Sequence, residues 1–342
     1  MSCLKWTFIV LLLLVAGVGT VAVGNAIGST RPVGFQMVQV PDGAGGSFPV
    51  GVWYPTSASP HPTTLIGLQL MNVAPDGVVS GSRLPLILIS HGNGGGPGSH
   101  ADLAMTLASN GYVVAAPMHA GDNFLDESGL ATQAWLARRN RELRLATDYL
   151  LDSWTYRGQI DSKRIGAYGF SAGGYSVLVA AGAIPDLGMV APHCAKQPEF
   201  VCAMLRQVKS PLLQADVLVP ASQPDKRIRA IVVAAPGLGF TMAGRALDEV
   251  TVPVQLWSAD DDSNVPYASN AKVVREGLRQ RAEFHAVPGA RHMSFLVPCG
   301  LIGPPALCKD IDGFDRKSFH TQMNASVITF FNRQLGTVTS GG

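Results

Sequence analysis

The chain has 342 residues, of which 15% are charged, and a formal net charge of +2. That leaves room for one large α/β domain or two ordinary ones, and length alone does not choose between them. Near-neutral charge without a dense basic run excludes nucleic acid as a partner, and Arg138-Arg139-Asn140-Arg141 reads as the solvated face of a helix.

The leader comes first. Lys5 supplies a positive head, Trp6 to Val23 is uncharged and mostly Leu, Val, Ile and Ala, and Gly24-Asn25-Ala26 offers a small-residue cleavage end. This is the pattern of a signal peptide over residues 1–26, so a secreted or periplasmic protein with no stable membrane span after cleavage is expected. The run is also just long enough to remain as an uncleaved membrane anchor, which is the alternative. Cys3 precedes the apolar run and does not fit a lipoprotein. Removing it leaves Cys194, Cys202, Cys299 and Cys308, two close-spaced pairs. In an exported chain they predict disulfides Cys194–Cys202 and Cys299–Cys308, although four cysteines allow three pairings.

Val33 to Val40 and Phe48 to Tyr54 are strand-like and flank the turn Asp42-Gly43-Ala44-Gly45-Gly46, which predicts an N-terminal antiparallel hairpin. Pro55 to Pro62 reads as a polar loop. Leu84 to Ser90 (LPLILIS) is an almost continuous apolar run, as expected of a strand buried on both faces. It enters His91-Gly92-Asn93-Gly94-Gly95-Gly96. This loop lacks the G-K-[ST] of a phosphate cradle, and no nucleotide cofactor is expected. Its glycines suit a loop whose backbone amides approach a developing oxyanion, with Asn93 as the favoured donor and Gly94 as runner-up.

Ser99 to Asn110 is a helix closed by Gly111, and Tyr112 to Pro117 is the next buried strand. With that step the chain alternates strand and helix, which implies a mostly parallel sheet with helices on both faces. His119 follows this strand, where open α/β sheets place ligands; it either lines a site or is a satisfied loop histidine. Leu130 to Leu151 is a long helix. Arg164 to Tyr168 is a strand running into Gly169-Phe170-Ser171-Ala172-Gly173-Gly174, and a helix rich in small residues follows from Tyr175 to Ala183.

A serine between glycines at a strand-to-helix junction matches the G-x-S-x-G elbow. There the hydroxyl is exposed on a sharp turn, and the amide of the next residue, Ala172, is free to bind an oxyanion. Pro185 to Lys226 breaks the alternation. It is either a lid over the carboxyl edge of the sheet or a plain surface excursion. Ile228 to Pro236 and Val252 to Trp257 are strands, with a short helix expected at Phe240 to Leu247 between them. Asp260-Asp261-Asp262 follows the second of these strands. Ala271 to Gln280 is a helix and Ala282 to Val287 the last strand, with His292 in the loop after it; a helix from Ser318 to Leu335 closes the chain.

The order nucleophile, acid, histidine is that of elbow-type hydrolases: Ser171, then one of Asp260, Asp261 and Asp262, then His292. These residues, with Val52-Trp53-Tyr54-Pro55, Ser90-His91-Gly92-Asn93-Gly94 and Gly289-Ala290-Arg291-His292-Met293-Ser294-Phe295, carry a resemblance. From about Gly34 to its end the chain resembles the α/β-hydrolase fold, and within it the dienelactone-hydrolase-like group that includes platelet-activating factor acetylhydrolases. The resemblance implies a single domain over 27–342 with an insertion at about 185–226. The group's acid lies in G-x-x-D-x-x-V-P, read here as Ala259-x-x-Asp262-x-x-Val265-Pro266, which implies Asp262. Dienelactone hydrolases themselves carry cysteine in the elbow, so Ser171 points to carboxylic esters, short-acyl lipids or phospholipids among them.

The expected chemistry is acyl transfer to water by Ser171, His292 and Asp262, with the amides of Asn93 and Ala172 as oxyanion donors and neither metal nor cofactor required. His91 is expected to orient the glycine loop. His61, His100, His193, His285 and His320 read as surface or core residues. A serine peptidase on the same fold and a catalytically silent binding protein remain as alternative functions.

Overall fold

A computed structural model describes residues 26–65, 69–214, 222–300 and 304–336. The expected leader, and part of the expected insertion, lie outside the described residues. Among the described residues ten strands form one sheet, in chain order β1 (Val33–Pro41), β2 (Ser47–Pro55), β3 (His61–Leu65), β4 (Gln69–Pro75), β5 (Leu84–Ser90), β6 (Val113–Pro117), β7 (Ile160–Phe170), β8 (Ile228–Ala234), β9 (Val254–Ala259) and β10 (Ala282–Val287). Their spatial order is β10-β9-β8-β7-β5-β6-β2-β1-β4-β3. From β10 to β6 every neighbour is parallel. The β1–β2 hairpin then adds antiparallel to β6 through β2. This is the α/β-hydrolase architecture.

The eight helices are α1 (Ala101–Ser109), α2 (Trp135–Asp152), α3 (Ala172–Ala180), α4 (Val190–Lys196), α5 (Phe200–Gln207), α6 (Ala271–Leu278), α7 (Pro305–Cys308) and α8 (Arg316–Leu335) among the described residues. The sheet separates two cores because strand side chains alternate between faces. Leu84, Leu86 and Leu88 of β5 join Ile231 and Val233 of β8 on the face covered by α2 and α3. Ile87 and Ile89 join Val232 and Ala234 on the face covered by α1 and α8. Both faces of the central strands are therefore apolar, which is why those strands read as unbroken hydrophobic runs.

Two expectations fail. Pro55 to Pro62 is not a continuous loop: the chain enters β3, which pairs antiparallel with β4 at the sheet edge. Phe240 to Leu247 is not a helix; a single 3-10 turn, Gly239–Met242, is followed by turns, and Gly244 at φ +67° breaks the helical course. Both disulfides form as paired from the sequence, Cys194–Cys202 joining α4 to α5 and Cys299–Cys308 ending in α7. Among the described residues, no helix is long and apolar enough to cross a membrane.

Candidate active site

Every residue of interest lies just past the carboxyl end of a parallel strand: Asn93 after β5, Ser171 after β7, Asp262 after β9 and His292 after β10. Open α/β sheets place ligands at this edge. Ser171 sits at φ +55° and ψ −118°, a strained conformation for a residue with a side chain. The elbow is held by its glycines. A Cβ on Gly169 would collide with the carbonyl of Gly173, and one on Gly173 with the carbonyl of Ser90. The strand, the turn and α3 can pack this tightly only without those side chains.

Ser171 Oγ lies 3.0 Å from His292 Nε2, and His292 Nδ1 lies 2.7 Å from Asp262 Oδ2. Asp262 Oδ1 accepts the backbone amides of Asn264 and Val265, each at 2.9 Å. A carboxylate only accepts, so Nδ1 carries the proton and Nε2 is left to accept from the serine hydroxyl. The three consecutive aspartates separate by burial. Asp262 is buried, Asp260 is exposed, and Asp261 turns outward to Arg291 Nε at 3.1 Å. The structure thus brings Ser171, His292 and Asp262 into one hydrogen-bonded line and leaves the other two aspartates out of it.

The 3-10 turn that carries His292 is clamped from behind. Ser294 Oγ accepts from Arg291 N and donates to Asp310 Oδ1. His320 reaches the Ser294 carbonyl with Nε2 at 2.9 Å and Asp102 Oδ2 with Nδ1 at 2.7 Å. Both partners are acceptors, so the buried imidazole ties the turn that carries His292 to Asp102 at the start of α1. His320, read from the sequence as a surface or core residue, is a core residue with this task.

The glycine loop lies against the nucleophile: a Cβ on Gly92 would come within 3.3 Å of Ser171 Cβ. Among the described residues no acceptor pairs with the backbone amide of Asn93 or of Ala172, the first residue of α3. Gly94, the runner-up donor, has its amide engaged by Asp122 Oδ1 at 3.0 Å. The peptide joining Gly92 to Asn93 is pinned at its carbonyl, which accepts from His91 Nδ1 at 2.7 Å and from Gly95 N at 3.2 Å. His91 Nε2 accepts the amide of His119 at 3.2 Å, which fixes the tautomer. Burial, and then the neighbouring Arg139 cation, lower the His91 pKa to about 4. His91 orients the loop, as its position in the sequence suggests.

His119 does not line the site. It is buried, donates from Nδ1 to Glu142 Oε2 at 2.7 Å, and accepts at Nε2 from Ser90 Oγ at 2.9 Å. Burial and Arg139 also hold it neutral, well below the ordinary histidine pKa. The reading of Arg138-Arg139-Asn140-Arg141 as a solvated face is corrected here. Arg139 and Asn140 are buried, and Arg139 is 1% exposed. Trp135, Arg139, Leu143, Ala146 and Leu150 lie on the buried side of α2. The helical phase of these residues carried the signal for a buried arginine, and adjacent arginines masked it.

From the insertion, α5 reaches the site. Met204 Sδ accepts from Asn93 Nδ2 at 3.6 Å. Glu199, just before α5, binds Asn270 Nδ2 at 3.1 Å and the hydroxyl of Ser269, close to the loop that carries Asp262.

Residues 71–235 match the model of the dienelactone hydrolase family, a stretch that includes the glycine loop and the elbow. No curated protein sequence matches the chain. A ferulic acid esterase from Streptomyces cinnamoneus is similar in structure, with a TM-score of 0.57 and 18% identity, over 91% of this chain and 94% of that one. At that identity the likeness carries the fold and not the substrate.

Proposed function

We propose that this chain, an α/β-hydrolase of the dienelactone-hydrolase-like group, is an exported serine esterase that cleaves carboxylic esters through an acyl-enzyme on Ser171. The observation that supports this reading most is the unbroken line Ser171–His292–Asp262 beside two unengaged backbone amides. In this mechanism His292 Nε2 takes the Ser171 proton as Oγ adds to the ester carbonyl. Asp262 stabilises the imidazolium that results. The carbonyl oxygen, now anionic, receives hydrogen bonds from Asn93 N–H and Ala172 N–H, each such donor typically worth about 2.7–4 kcal/mol. The imidazolium returns its proton to the departing alcohol, and water then repeats the sequence on the acyl-serine to release the acid.

The surroundings favour an apolar substrate. Met204 lies on the Asn93 side chain, Val265 packs beside Gly237 near Ser171, and half-exposed Phe124 covers Gly96. Short-acyl lipid esters, with phospholipids of platelet-activating-factor type among them, are the class we assign. The two disulfides support an oxidising compartment.

Turnover of p-nitrophenyl acetate, p-nitrophenyl palmitate, a short-acyl phospholipid and a peptide anilide, by wild type and Ser171→Ala, tests the reading. Ester turnover that favours the short acyl chain and disappears in Ser171→Ala is expected. Equal turnover by the two proteins would refute it.

A further inference from the structure

One buried guanidinium stands behind both expected oxyanion donors. Arg139 Nη2 donates to the His91 carbonyl, and Nη1 to Asp122 Oδ2 at 2.5 Å. The other oxygen of that carboxylate, Oδ1, accepts the amide of Gly94. Asp122 Oδ2 also accepts Trp135 Nε1 at 2.6 Å, so both oxygens of the carboxylate are engaged. The peptide groups on either side of the Asn93 amide are therefore tied to the same cation, one directly and one through Asp122. A third arm runs to the other donor. Arg139 Nε donates to Ser176 Oγ at 3.2 Å, and Ser176 Oγ donates to the carbonyl of Ala172 at 2.9 Å. That bond fixes the first turn of α3, whose first amide is that of Ala172. All four side chains are buried; Arg139 and Asp122 are each 1% exposed and Ser176 fully shielded.

We infer that Arg139, with Asp122 and Ser176 as its arms, is a positioning residue for the oxyanion hole, setting the spacing and aim of the Asn93 and Ala172 amides. This rests on the acyl-transfer reading above and goes beyond it. The geometry favours positioning over simple core filling because each guanidinium nitrogen has an acceptor on a different segment: the glycine loop, the loop after β6, and α3 through Ser176. A guanidinium offers a planar fork of donors that a lysine cannot reproduce. Burial opposes ionisation of Asp122, but Arg139 beside it holds the carboxyl below its usual range, so the pair persists as ions. An oxyanion hole works only when its donors are set in advance at the place where charge develops. Misalignment should therefore weaken transition-state binding and spare the ground state.

The test uses Arg139→Lys, the charge-free double variant Arg139→Gln/Asp122→Asn, and Ser176→Ala, which removes one arm by a single oxygen. For each, kcat and KM are measured on p-nitrophenyl acetate. The inhibition constant is measured for a trifluoromethyl ketone, which forms a tetrahedral oxyanion on the nucleophile, and melting is followed by circular dichroism. The expected result is a loss in kcat of roughly 10–100-fold for Arg139→Lys and the double variant. About 3–10-fold is expected for Ser176→Ala, with KM nearly unchanged and ketone affinity falling in step with kcat. Folded variants that keep wild-type kcat and ketone affinity, or that raise KM alone, overturn the inference. Should Arg139→Lys not fold, Ser176→Ala decides by the same criteria. Failure here is distinct from failure of the acyl-transfer reading, which would appear as full activity in Ser171→Ala.

Discussion

Asp262→Asn keeps the shape of the side chain and changes only what it offers to His292. Asp262 Oδ1 holds the amides of Asn264 and Val265, each at 2.9 Å, and both can only donate. The carboxamide oxygen of an asparagine must therefore stay with them, and its NH2 group takes the place of Oδ2, 2.7 Å from His292 Nδ1. An NH2 group also only donates. Nδ1 must then accept, which moves the ring proton to Nε2, the atom that should receive the Ser171 proton. The wrong tautomer typically costs about 10⁴ in kcat. At about 1.36 kcal/mol per tenfold, that is roughly 5.5 kcal/mol of barrier. Steady-state kcat on p-nitrophenyl acetate measures it, with melting by circular dichroism as the folding control. Asp260→Asn and Asp261→Asn serve as comparisons. Asp261 pairs with Arg291 across a half-exposed surface, where such a bridge is worth about 0–1 kcal/mol, and Asp260 is exposed. Both should stay within a few-fold of wild type. A folded Asp262→Asn protein that keeps more than about a tenth of its kcat, far above the loss expected of a wrong tautomer, refutes the assignment. An equal loss in either neighbour refutes it too.

Two further outcomes follow from the same packing. Burial raises the Glu142 carboxyl from 4.5 to about 7, so between those values the folded chain keeps a proton that the unfolded chain has released. Glu142's own contribution to stability should fall as pH rises through this window, by on the order of 3 kcal/mol at about 1.4 kcal/mol per unit. His91 and His119, held neutral by burial, contribute in the opposite direction. The stability difference between wild type and Glu142→Gln should therefore change by that amount. Urea unfolding of both proteins at about pH 5 and about pH 7.5 checks this; parallel stabilities would contradict it. Gly173→Ala forces a Cβ onto the carbonyl of Ser90 and should destabilise the fold by more than the ~1–3 kcal/mol of ordinary overpacking, visible as a lower urea midpoint. A midpoint equal to wild type would mean that the elbow has slack.

The parallel sheet and the line of candidate site residues were legible for one physical reason. Strands buried on both faces read as apolar runs, and the residues with chemistry come directly after those runs. Ser171, His292 and the aspartate cluster could be placed this way without knowing any contact. The choice among Asp260, Asp261 and Asp262 could not, because the expected strand ended at Trp257 and β9 continues to Ala259. A two-residue error at a strand end spans the ambiguity; the family spacing implied Asp262, and burial then sets Asp262 apart from its exposed neighbours. The β3–β4 hairpin was illegible because it lies at the sheet edge. His61, Pro62 and Thr64 are exposed and Thr63 is only partly covered, so no alternation records a buried face.

The buried polar cluster behind the glycine loop was missed for a different reason. Charge is a poor guide to exposure when partners lie far away in sequence. Asp122, Arg139 and Glu142 each look like solvated residues, yet Asp122 and Arg139 satisfy one another, and Glu142 is satisfied by His119 and the amide of Ala120. The helical phase of α2 carries the clue, since Arg139 falls four residues after Trp135 and four before Leu143, in register with the apolar stripe. A charge in phase with a core stripe must be paired, because an unpaired buried ion costs several kcal/mol or more. In an α/β sheet the partners nearest to such a helix lie in the loops at the carboxyl ends of the strands, and those loops also carry the chemistry. An arginine that breaks a buried stripe is therefore a marker for the support of a site. Here it points to the loop that presents Asn93, which composition and motif spacing identified only by its glycines.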